Sequence, residues 1–481
     1  MRADLGGISG SVRRRQSHSD TTASSSTNML NTFLTLFLFL GGTVGLKTVK
    51  KDVVIIGAGS SGVYTGIRLI DEGKDVAIIE SSNSIGSHAN TYYDPVTGNP
   101  INVGVQSFHN TTVVRDYFAR LNVTATSYTY PQWPTVNVDF STGKPAINYT
   151  SPSFPDIVAG FQAFRDVVAA NYAYLDHGFH LPDPIPEELF LPFSEFAKKH
   201  GFEVILPSIA VFIQPIELWN EPTLYVIKNY GLQSIETYLG SLAGAGVFKP
   251  DDVNEIYTSA AEILGSRVIL NSSVQKLKRS STGVTLQVKT PQGVICIEAS
   301  KVVMAAPPFL RNFAGWDLSS HDRNLFSKFI AKNSHIAITH NPTWNNTSYN
   351  GVGPQSTFGT PRLPGTVSMI PTGFTDSSYY SYVVFLENTP VETAQALFKK
   401  QVKTLIANGV APASDNTIVE WFNHNYYMNH VPTADIRAGF YTKLNNLQGK
   451  SNTFYVGAAW AGQDSSMIWG VVDELLPKLL E

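Results

Sequence analysis

Three glycines at a fixed spacing carry the clearest chemical signal in this chain of 481 residues. Gly57, Gly59 and Gly62 form the pattern G-x-G-x-x-G directly after the apolar run 53–56. The first glycine allows a tight turn, the second lets the backbone approach a pyrophosphate, and the third lets a helix pack closely on a strand. Amides at the start of that helix then hold phosphates, so the pattern predicts a dinucleotide site that includes Ser61.

An acidic residue stands where such a site meets a ribose. Glu80 ends the next apolar run, 76–79, which predicts a second strand. An acid at this place hydrogen-bonds ribose hydroxyls and disfavours a 2'-phosphate, so NADP is not expected. Apolar residues at helical spacing, ending at Gly73, predict the helix between the two strands. The strand, glycine loop, helix, strand and acid together favour a nucleotide site over an empty glycine turn.

The composition limits the remaining classes of function. Apolar residues make up 43% of the chain and charged residues 15%, against about 25% in an average protein. A large core is therefore expected. The net charge is -3, and the sequence has no cluster of basic residues beyond Arg13, Arg14 and Arg15. Nucleic acid is not expected as a partner. The single cysteine, Cys296, excludes internal disulfides and multi-cysteine metal centres, and no metal site is predicted.

The first 46 residues differ from the rest of the chain. A polar segment with three arginines precedes the apolar run 29–40 and small residues up to 46. This order predicts a polar leader followed by a signal peptide or signal-anchor, which would place the protein in the secretory pathway, secreted or membrane-anchored with its body in the lumen. Membrane association would then run through residues 29–46, and a true start at Met29 is the alternative. Glycosylation is expected only because of the predicted secretory pathway. The number of Asn-x-Ser/Thr sequons is about that expected by chance, so the sequons add little evidence of their own.

The rest of the chain alternates between two kinds of pattern. Strand and helix patterns typical of a nucleotide-binding domain occupy residues 47–112, 236–312 and 438–481. Residues 113–235 and 313–437 are mixed and aromatic, and we assign them to a substrate domain. The predicted fold class is α/β plus α+β, with a discontinuous Rossmann-like domain interleaved with a mixed, aromatic-rich domain.

Several short motifs give the chain a family resemblance. Around Gly86-Ser87-His88 and Gly104-Val105 the sequence resembles the flavin-containing amine oxidase superfamily. At Asp94-Pro95-x-Thr97-Gly98 and Leu447-Gln448-Gly449 it is similar to the fungal β-cyclopiazonate dehydrogenase family, over most of residues 52–481. The resemblance implies bound FAD and an amine-oxidase-like fold of two domains.

The resemblance also implies which residues hold the cofactor. Ser87 stands where the family has a second loop glycine, and Asn102 stands where an acid is common. With the glycine pattern, the expected FAD-binding residues are Gly57, Gly59, Ser61, Gly62, Glu80, Gly86, Ser87, His88, Gly104, Val105, Val274, Gly457 and Ser466.

A flavin accepts hydride, so the protein must position the substrate, exclude water and manage protons. His88, in a cofactor-facing loop, is a candidate base. Tyr225 is a candidate for an aromatic wall against the substrate. Trp469 belongs to a carboxy-terminal helix whose start is expected to face the flavin. Each of the three also fits an ordinary structural role.

These observations predict an FAD-dependent oxidoreductase that removes hydride from a small, apolar, alkaloid- or terpenoid-like molecule. The resemblance implies an oxidative ring closure in fungal secondary metabolism, with dioxygen or another acceptor taking the electrons. A generic amine or polyamine oxidase is the first alternative, for which Glu217 and Glu221 are the only acidic hint. A dinucleotide-binding module without catalysis is the second.

Overall fold

The structure, a computed structural model, describes residues 47–147, 149–214, 217–353 and 358–481. The predicted leader of residues 1–46 lies outside the described residues, so it stays a prediction. Among the described residues we find no helix with both the length and the apolar character needed to cross a membrane. The described residues from 47 onward form one compact unit, and the predicted boundaries of the two interleaved domains stay a prediction.

The described residues form strands and α-helices in the following order. The strands are β1 (Thr48–Ile56), β2 (Val76–Ile79), β3 (Ala89–Tyr93), β4 (Pro100–Gly104), β5 (Ala125–Tyr128), β6 (Thr135–Asp139), β7 (Lys144–Pro145), β8 (Val247–Pro250), β9 (Val268–Ile269), β10 (Ser273–Ser280), β11 (Gly283–Thr290), β12 (Gly293–Met304), β13 (Ile330–His340), β14 (Ser348–Gly351), β15 (Gly365–Pro371), β16 (Ser378–Phe385), β17 (Thr417–His430) and β18 (Thr453–Tyr455). The α-helices are α1 (Ser60–Asp71), α2 (Thr112–Leu121), α3 (Phe154–Asn171), α4 (Phe193–Lys199), α5 (Leu206–Phe212), α6 (Thr223–Asn229), α7 (Leu232–Leu242), α8 (Asn254–Leu264), α9 (Ser320–Phe326), α10 (Val391–Ala407), α11 (Thr433–Arg437), α12 (Phe440–Asn445), α13 (Ala458–Ala461) and α14 (Ser465–Leu480).

The first sheet gathers strands from three distant parts of the chain. Its order is β10-β11-β12-β1-β2-β9, and β18 pairs with β12. The central strands β12, β1 and β2 are parallel, with Val54 opposite both Val302 and Ala77. Such parallel strands are normally covered on both faces, and β1 has this pattern. Val53 and Ile55 enter one core with α1 and α14, while Val54 and Ile56 enter the other.

The second sheet has the order β17-β13-β16-β15-β14-β6-β7. Its long central strand β13 is antiparallel to both neighbours, β16 and β17. Helix α10 covers one face, where Ala394, Phe398 and Leu405 are buried. On a separate cluster of the same sheet, side chains of β13 and β16 pack against the ribbon β3–β4.

This ribbon connects the two sheets. Ile101 and Val103 of β4 are buried against Ile336 and Ile338 of β13. The ribbon follows β2 of the first sheet along the chain. Because β4 packs on β13, its end at Gly104 lies against the second sheet. The loop that leaves Gly104 therefore runs between the two sheets.

An aromatic cluster fixes α14 against α1. The indole of Trp469 stacks on Tyr64 at 5.6 Å and on Phe108 at 5.4 Å between ring centroids, and it meets Tyr117 edge-on at 4.8 Å. Trp469 is 1% exposed. Since aromatic pairs add to the free energy gained by burying their area, this cluster should be a main contributor to stability.

We predict that Trp469→Ala lowers the free energy of unfolding by about 3–5 kcal/mol, because it leaves a cavity in this cluster. Trp219→Ala is the matched control, since Trp219 is 36% exposed and its loss, including the hydrogen bond from its indole N–H to Thr360, should cost about 2 kcal/mol or less. Urea denaturation followed by circular dichroism measures both. Equal losses for the two variants would contradict the assignment of Trp469 to the core.

Candidate cofactor and active site

The glycine loop lies at the end of β1, where α1 begins. Gly57 has φ +103°, a backbone conformation that residues with a side chain rarely adopt. A Cβ on Gly62 would lie 2.0 Å from the carbonyl oxygen of Gly57, so α1 can approach the loop only without that side chain. Gly59 precedes the helix with extended backbone, and no side chain caps the first turn. The amides of this turn are therefore available to an anion.

Glu80 lies beside this loop, at the end of β2. Its Oε2 accepts a hydrogen bond of 2.7 Å from the amide of Ala58. Its Oε1 accepts one of 2.7 Å from the amide of Ser82. The carboxylate is buried and faces the loop, which is the geometry that a ribose-binding acid requires.

A second loop, residues 86–88, lies across the first. The amide of Gly86 donates to the carbonyl of Ala58 at 2.9 Å, and Gly86 has φ +107°. Ser87 has φ +53°, so it adopts left-handed backbone at the place where the resemblance leads us to expect a glycine. This costs about 1–2 kcal/mol relative to glycine. The Ser87 side chain also fills the space beside Gly59, since a Cβ on Gly59 would lie 3.2 Å from the Cβ of Ser87.

The loop after β4 begins against two histidines. Gly104 has φ +87°, and a Cβ there would lie 2.5 Å from Cε1 of His424 and from the carbonyl oxygen of His88. The rings of His88 and His424 stack with centroids 4.8 Å apart. Burial lowers the pKa of His88 to about 4 and that of His424 well below its ordinary value. Both rings are therefore neutral near pH 7. Val105, the residue after Gly104, is half-buried.

The carboxy-terminal helix closes the same region. Asp464 caps α14 by accepting a hydrogen bond of 3.0 Å from the amide of Met467. Ser466 accepts one of 3.0 Å from the amide of His109. Gly457 has φ +105°, and a Cβ on it would lie 3.2 Å from Oγ of Ser61. The starts of α1 and α14 thus meet at the glycine loop.

Asn102, the second departure from the family pattern, is a fully buried amide. Its Oδ1 accepts hydrogen bonds from the amide of Val253 at 2.9 Å and from the hydroxyl of Thr91 at 3.0 Å. Its Nδ2 donates to the carbonyl of Asp251 at 3.0 Å. The side chain fastens β4 to the segment before α8, so we assign it a structural role.

Known proteins match the chain over most of its length. Residues 55–121 match the NAD(P)-binding Rossmann-like domain family. The chain is 35% identical to FAD-dependent oxidoreductase dpchF of Colletotrichum higginsianum, with 88% of this chain and 91% of that protein covered. It is 30% identical to β-cyclopiazonate dehydrogenase of Aspergillus oryzae, with 90% and 93% covered. The chain belongs to this family of fungal FAD-dependent oxidoreductases.

Solved structures extend the likeness to the fold. The fatty acid isomerase from P. acnes superposes with a TM-score of 0.72 at 19% identity, covering 89% of this chain and 98% of its own. Putrescine oxidase with bound putrescine gives 0.63 at 18% identity, covering 90% and 99%. The predicted fold class and the predicted cofactor are confirmed: the protein is an FAD-dependent enzyme with an amine-oxidase-like fold.

The residues of this oxidoreductase fit FAD at the glycine loop. The uncapped first turn of α1 would hold the diphosphate, and Glu80 would hold the ribose. Val274 lies on β10, half-buried opposite Val288, and the amide of Ser272 donates to the carbonyl of Glu80 at 2.8 Å. This link places the backbone before Val274 at the ribose side of the site. The individual roles stay predictions.

Of the predicted catalytic residues, His88 alone lies in a loop that faces the cofactor site. The hydroxyl of Tyr225 is bound within the core, where it accepts hydrogen bonds from the Val431 amide at 2.8 Å and from the Tyr441 hydroxyl at 2.9 Å. The indole N–H of Trp469 donates to Oγ of Ser60 at 3.0 Å, and its ring is enclosed. These placements favour structural roles for Tyr225 and Trp469.

The structure adds a polar wall that the sequence patterns did not reveal. Gln106, shortly after Gly104, donates from Nε2 to the hydroxyl of Tyr382 at 3.2 Å. The hydroxyl of Tyr130 lies 3.5 Å from Oε1 of Gln106. We call Gln106, Tyr130 and Tyr382 the tyrosine wall. Only the position of Gln106 beside Gly104 gave a sequence signal, because the two tyrosines come from distant segments.

We predict that Gly59→Val gives folded protein with little bound flavin, because a branched side chain would enter the diphosphate site and press on Ser87. Gly470→Val is the control, since a Cβ there meets nothing within 4 Å. Absorbance of the released flavin, measured per mole of protein, compares the two. Full flavin content in the Gly59 variant would contradict the placement of the diphosphate.

The two stacked histidines predict how stability depends on pH. Each ring is neutral when folded and takes up a proton in the unfolded chain near its ordinary pKa of 6.5. Their stabilisation is therefore complete above pH 6.5 and is lost as the pH falls towards about 4, by about 1.4 kcal/mol per pH unit for each residue.

His424→Gln should reduce this slope, whereas His321→Gln, at an exposed histidine of α9, should leave it unchanged. Urea denaturation at several pH values between 4.5 and 7 measures the slope. The same slope in wild type and His424→Gln would show that this ring does not stay neutral.

Proposed function

We propose that this enzyme removes hydride from a small, largely apolar molecule of alkaloid or terpenoid type. The observation that carries the proposal is the tyrosine wall at the loop leaving Gly104. Its polar atoms are hydroxyl and amide groups, which orient the uncharged body of a substrate without requiring a charge on that part. Aromatic rings at the same place supply rigid apolar contact.

Bound FAD supplies the hydride acceptor. The chain would have to hold the reacting carbon against it, keep water away and leave the substrate free to react further. Neutral His88 and His424 beside Gly104 add no positive charge at this loop, so they would not repel a cation that forms in the substrate on hydride loss. A nucleophile within the substrate would trap that cation, which gives the oxidative ring closure of a secondary-metabolite pathway. Dioxygen is the proposed electron acceptor, with hydrogen peroxide as product.

The arrangement of the acidic residues disfavours a polyamine as substrate. Glu221, the buried member of the acidic pair, forms an ion pair with the ammonium of Lys332. Glu217 accepts a hydrogen bond of 2.8 Å from the side chain of Asn220. Among the described residues the tyrosine wall contains no carboxylate. The tyrosine wall itself would therefore give a diamine no counter-charge.

We expect anaerobic mixing with a panel of indole alkaloids and cyclic terpenoids to bleach the flavin absorbance for at least one member, because hydride transfer reduces the flavin. Spermine is the comparison and should leave the absorbance unchanged. Admission of air should then restore the colour and release peroxide. Bleaching by spermine together with unchanged colour for the whole apolar panel would overturn the proposal in favour of a polyamine oxidase.

A further inference from the structure

A buried lysine lies next to the tyrosine wall without a negatively charged partner. Lys249, on β8, is 5% exposed. Its Nζ lies 4.3 Å from the ring centroid of Tyr128, 4.5 Å from that of Phe374 and 5.8 Å from that of Tyr130. Within the described ranges, this ammonium has neither an ion pair nor a hydrogen bond. Three aromatic rings lie within 6 Å of it, and the carboxylate of Asp251 acts on it through space without forming an ion pair.

The strand geometry directs this lysine towards the substrate side of the molecule. β8 pairs with β5, and successive residues of a strand point to opposite faces. Phe248 packs on Phe118 at 5.7 Å in the core of the first sheet. Lys249 therefore points the other way, to Tyr128 at the end of β5, to Tyr130 beyond it and to Phe374.

The lysine is connected to the cofactor side through the tyrosine wall. Tyr130 contacts Lys249 with its ring, and its hydroxyl lies 3.5 Å from Gln106. Gln106 lies two residues after Gly104, the glycine that lies against His88 and His424. One tyrosine and one glutamine thus separate the ammonium from the loop beside the flavin site.

A buried cation without a counter-ion is unfavourable, and the rings compensate for only part of the lost hydration. Burial lowers the pKa of Lys249 to about 8, while the charge of Asp251 opposes this shift. The tyrosines do not supply a counter-ion, because burial raises the pKa of Tyr130 to about 12 and also raises those of Tyr128 and Tyr380. A bound anion would provide the missing charge.

We propose that Lys249 binds an anionic group of the substrate, a carboxylate or an ionised enol, and holds it while the apolar body lies along the tyrosine wall. The substrate would then be an apolar molecule with one acidic group at the end remote from the reacting carbon. The inference rests on the proposed function of the neighbouring site, whose substrate it describes more closely.

The test compares two probes that differ in charge but hardly in shape, indole-3-acetate and indole-3-acetamide. Equilibrium dialysis against the FAD-loaded enzyme at pH 7 gives both dissociation constants without turnover. We expect the acetate to bind about tenfold more tightly, which corresponds to about 1.4 kcal/mol. Equal affinities, or no binding of either probe at about 1 mM, would overturn the proposal.

Three variants assign the preference to the lysine. Lys249→Met should abolish it and Lys249→Arg should retain it, since arginine keeps the charge. Lys289→Met, at an exposed lysine of β11, should leave it unchanged. The flavin content of each variant reports whether it is folded. A preference that persists in a flavin-loaded Lys249→Met variant would overturn the proposal.

The wild-type enzyme provides a test that needs no substitution. As the pH rises from 7 to 9, the Lys249 ammonium loses its proton while the acetate stays charged and the tyrosines stay protonated. The preference for the acetate should therefore decline through about pH 8, and a constant preference would contradict the assignment. Flavin bleaching is measured separately. If no substrate bleaches the flavin but the preference for the acetate is intact, only the proposal of hydride removal is contradicted. If the flavin is bleached but the enzyme shows no preference for the acetate, only the lysine site is contradicted.

Discussion

The close approach of α1 to the end of β1 is the constraint on which the cofactor site depends. It exists because Gly62 has no side chain to collide with the carbonyl of Gly57. The approach leaves the first amides of α1 facing the same space as Glu80. The loop at 86–88 is then fixed by the hydrogen bond that the amide of Gly86 donates to the carbonyl of Ala58. Larger side chains at Gly62 would push the helix away and separate all of these groups.

The ribbon β3–β4 transmits this order to the substrate side. Ile101 and Val103 pack on the second sheet while Asn102, between them, fastens the ribbon to the segment before α8. Alternate residues of one strand thus serve two different neighbours. Gly104 is held against the ring of His424 and the backbone carbonyl of His88 as a result, and Gln106 reaches Tyr382. The position of the substrate wall relative to the glycine loop therefore depends on a short piece of antiparallel strand.

The cofactor half of the site could be predicted because its signals are local. The strand, the loop, the helix and Glu80 lie within one continuous stretch, and their spacing alone fixes their geometry. The tyrosine wall could not be predicted in this way, since Tyr130 and Tyr382 meet only when β16 joins the second sheet. Sequence reasoning also proposed Tyr225 because aromatic residues suit a substrate wall. Nothing local distinguishes it from Tyr382, and the contact with Val431 is long-range.

Strand β8 carries adjacent residues with opposite requirements, since Phe248 needs an apolar core and Lys249 needs a site for its charge. The pairing with β5 fixes which residue faces which side. A one-residue insertion or deletion within this strand would exchange the two side chains, burying an ammonium in the apolar core against Phe118 and turning a benzyl ring towards Tyr128 and Phe374. Length variation among relatives should therefore avoid this segment and collect instead at exposed turns such as 281–282.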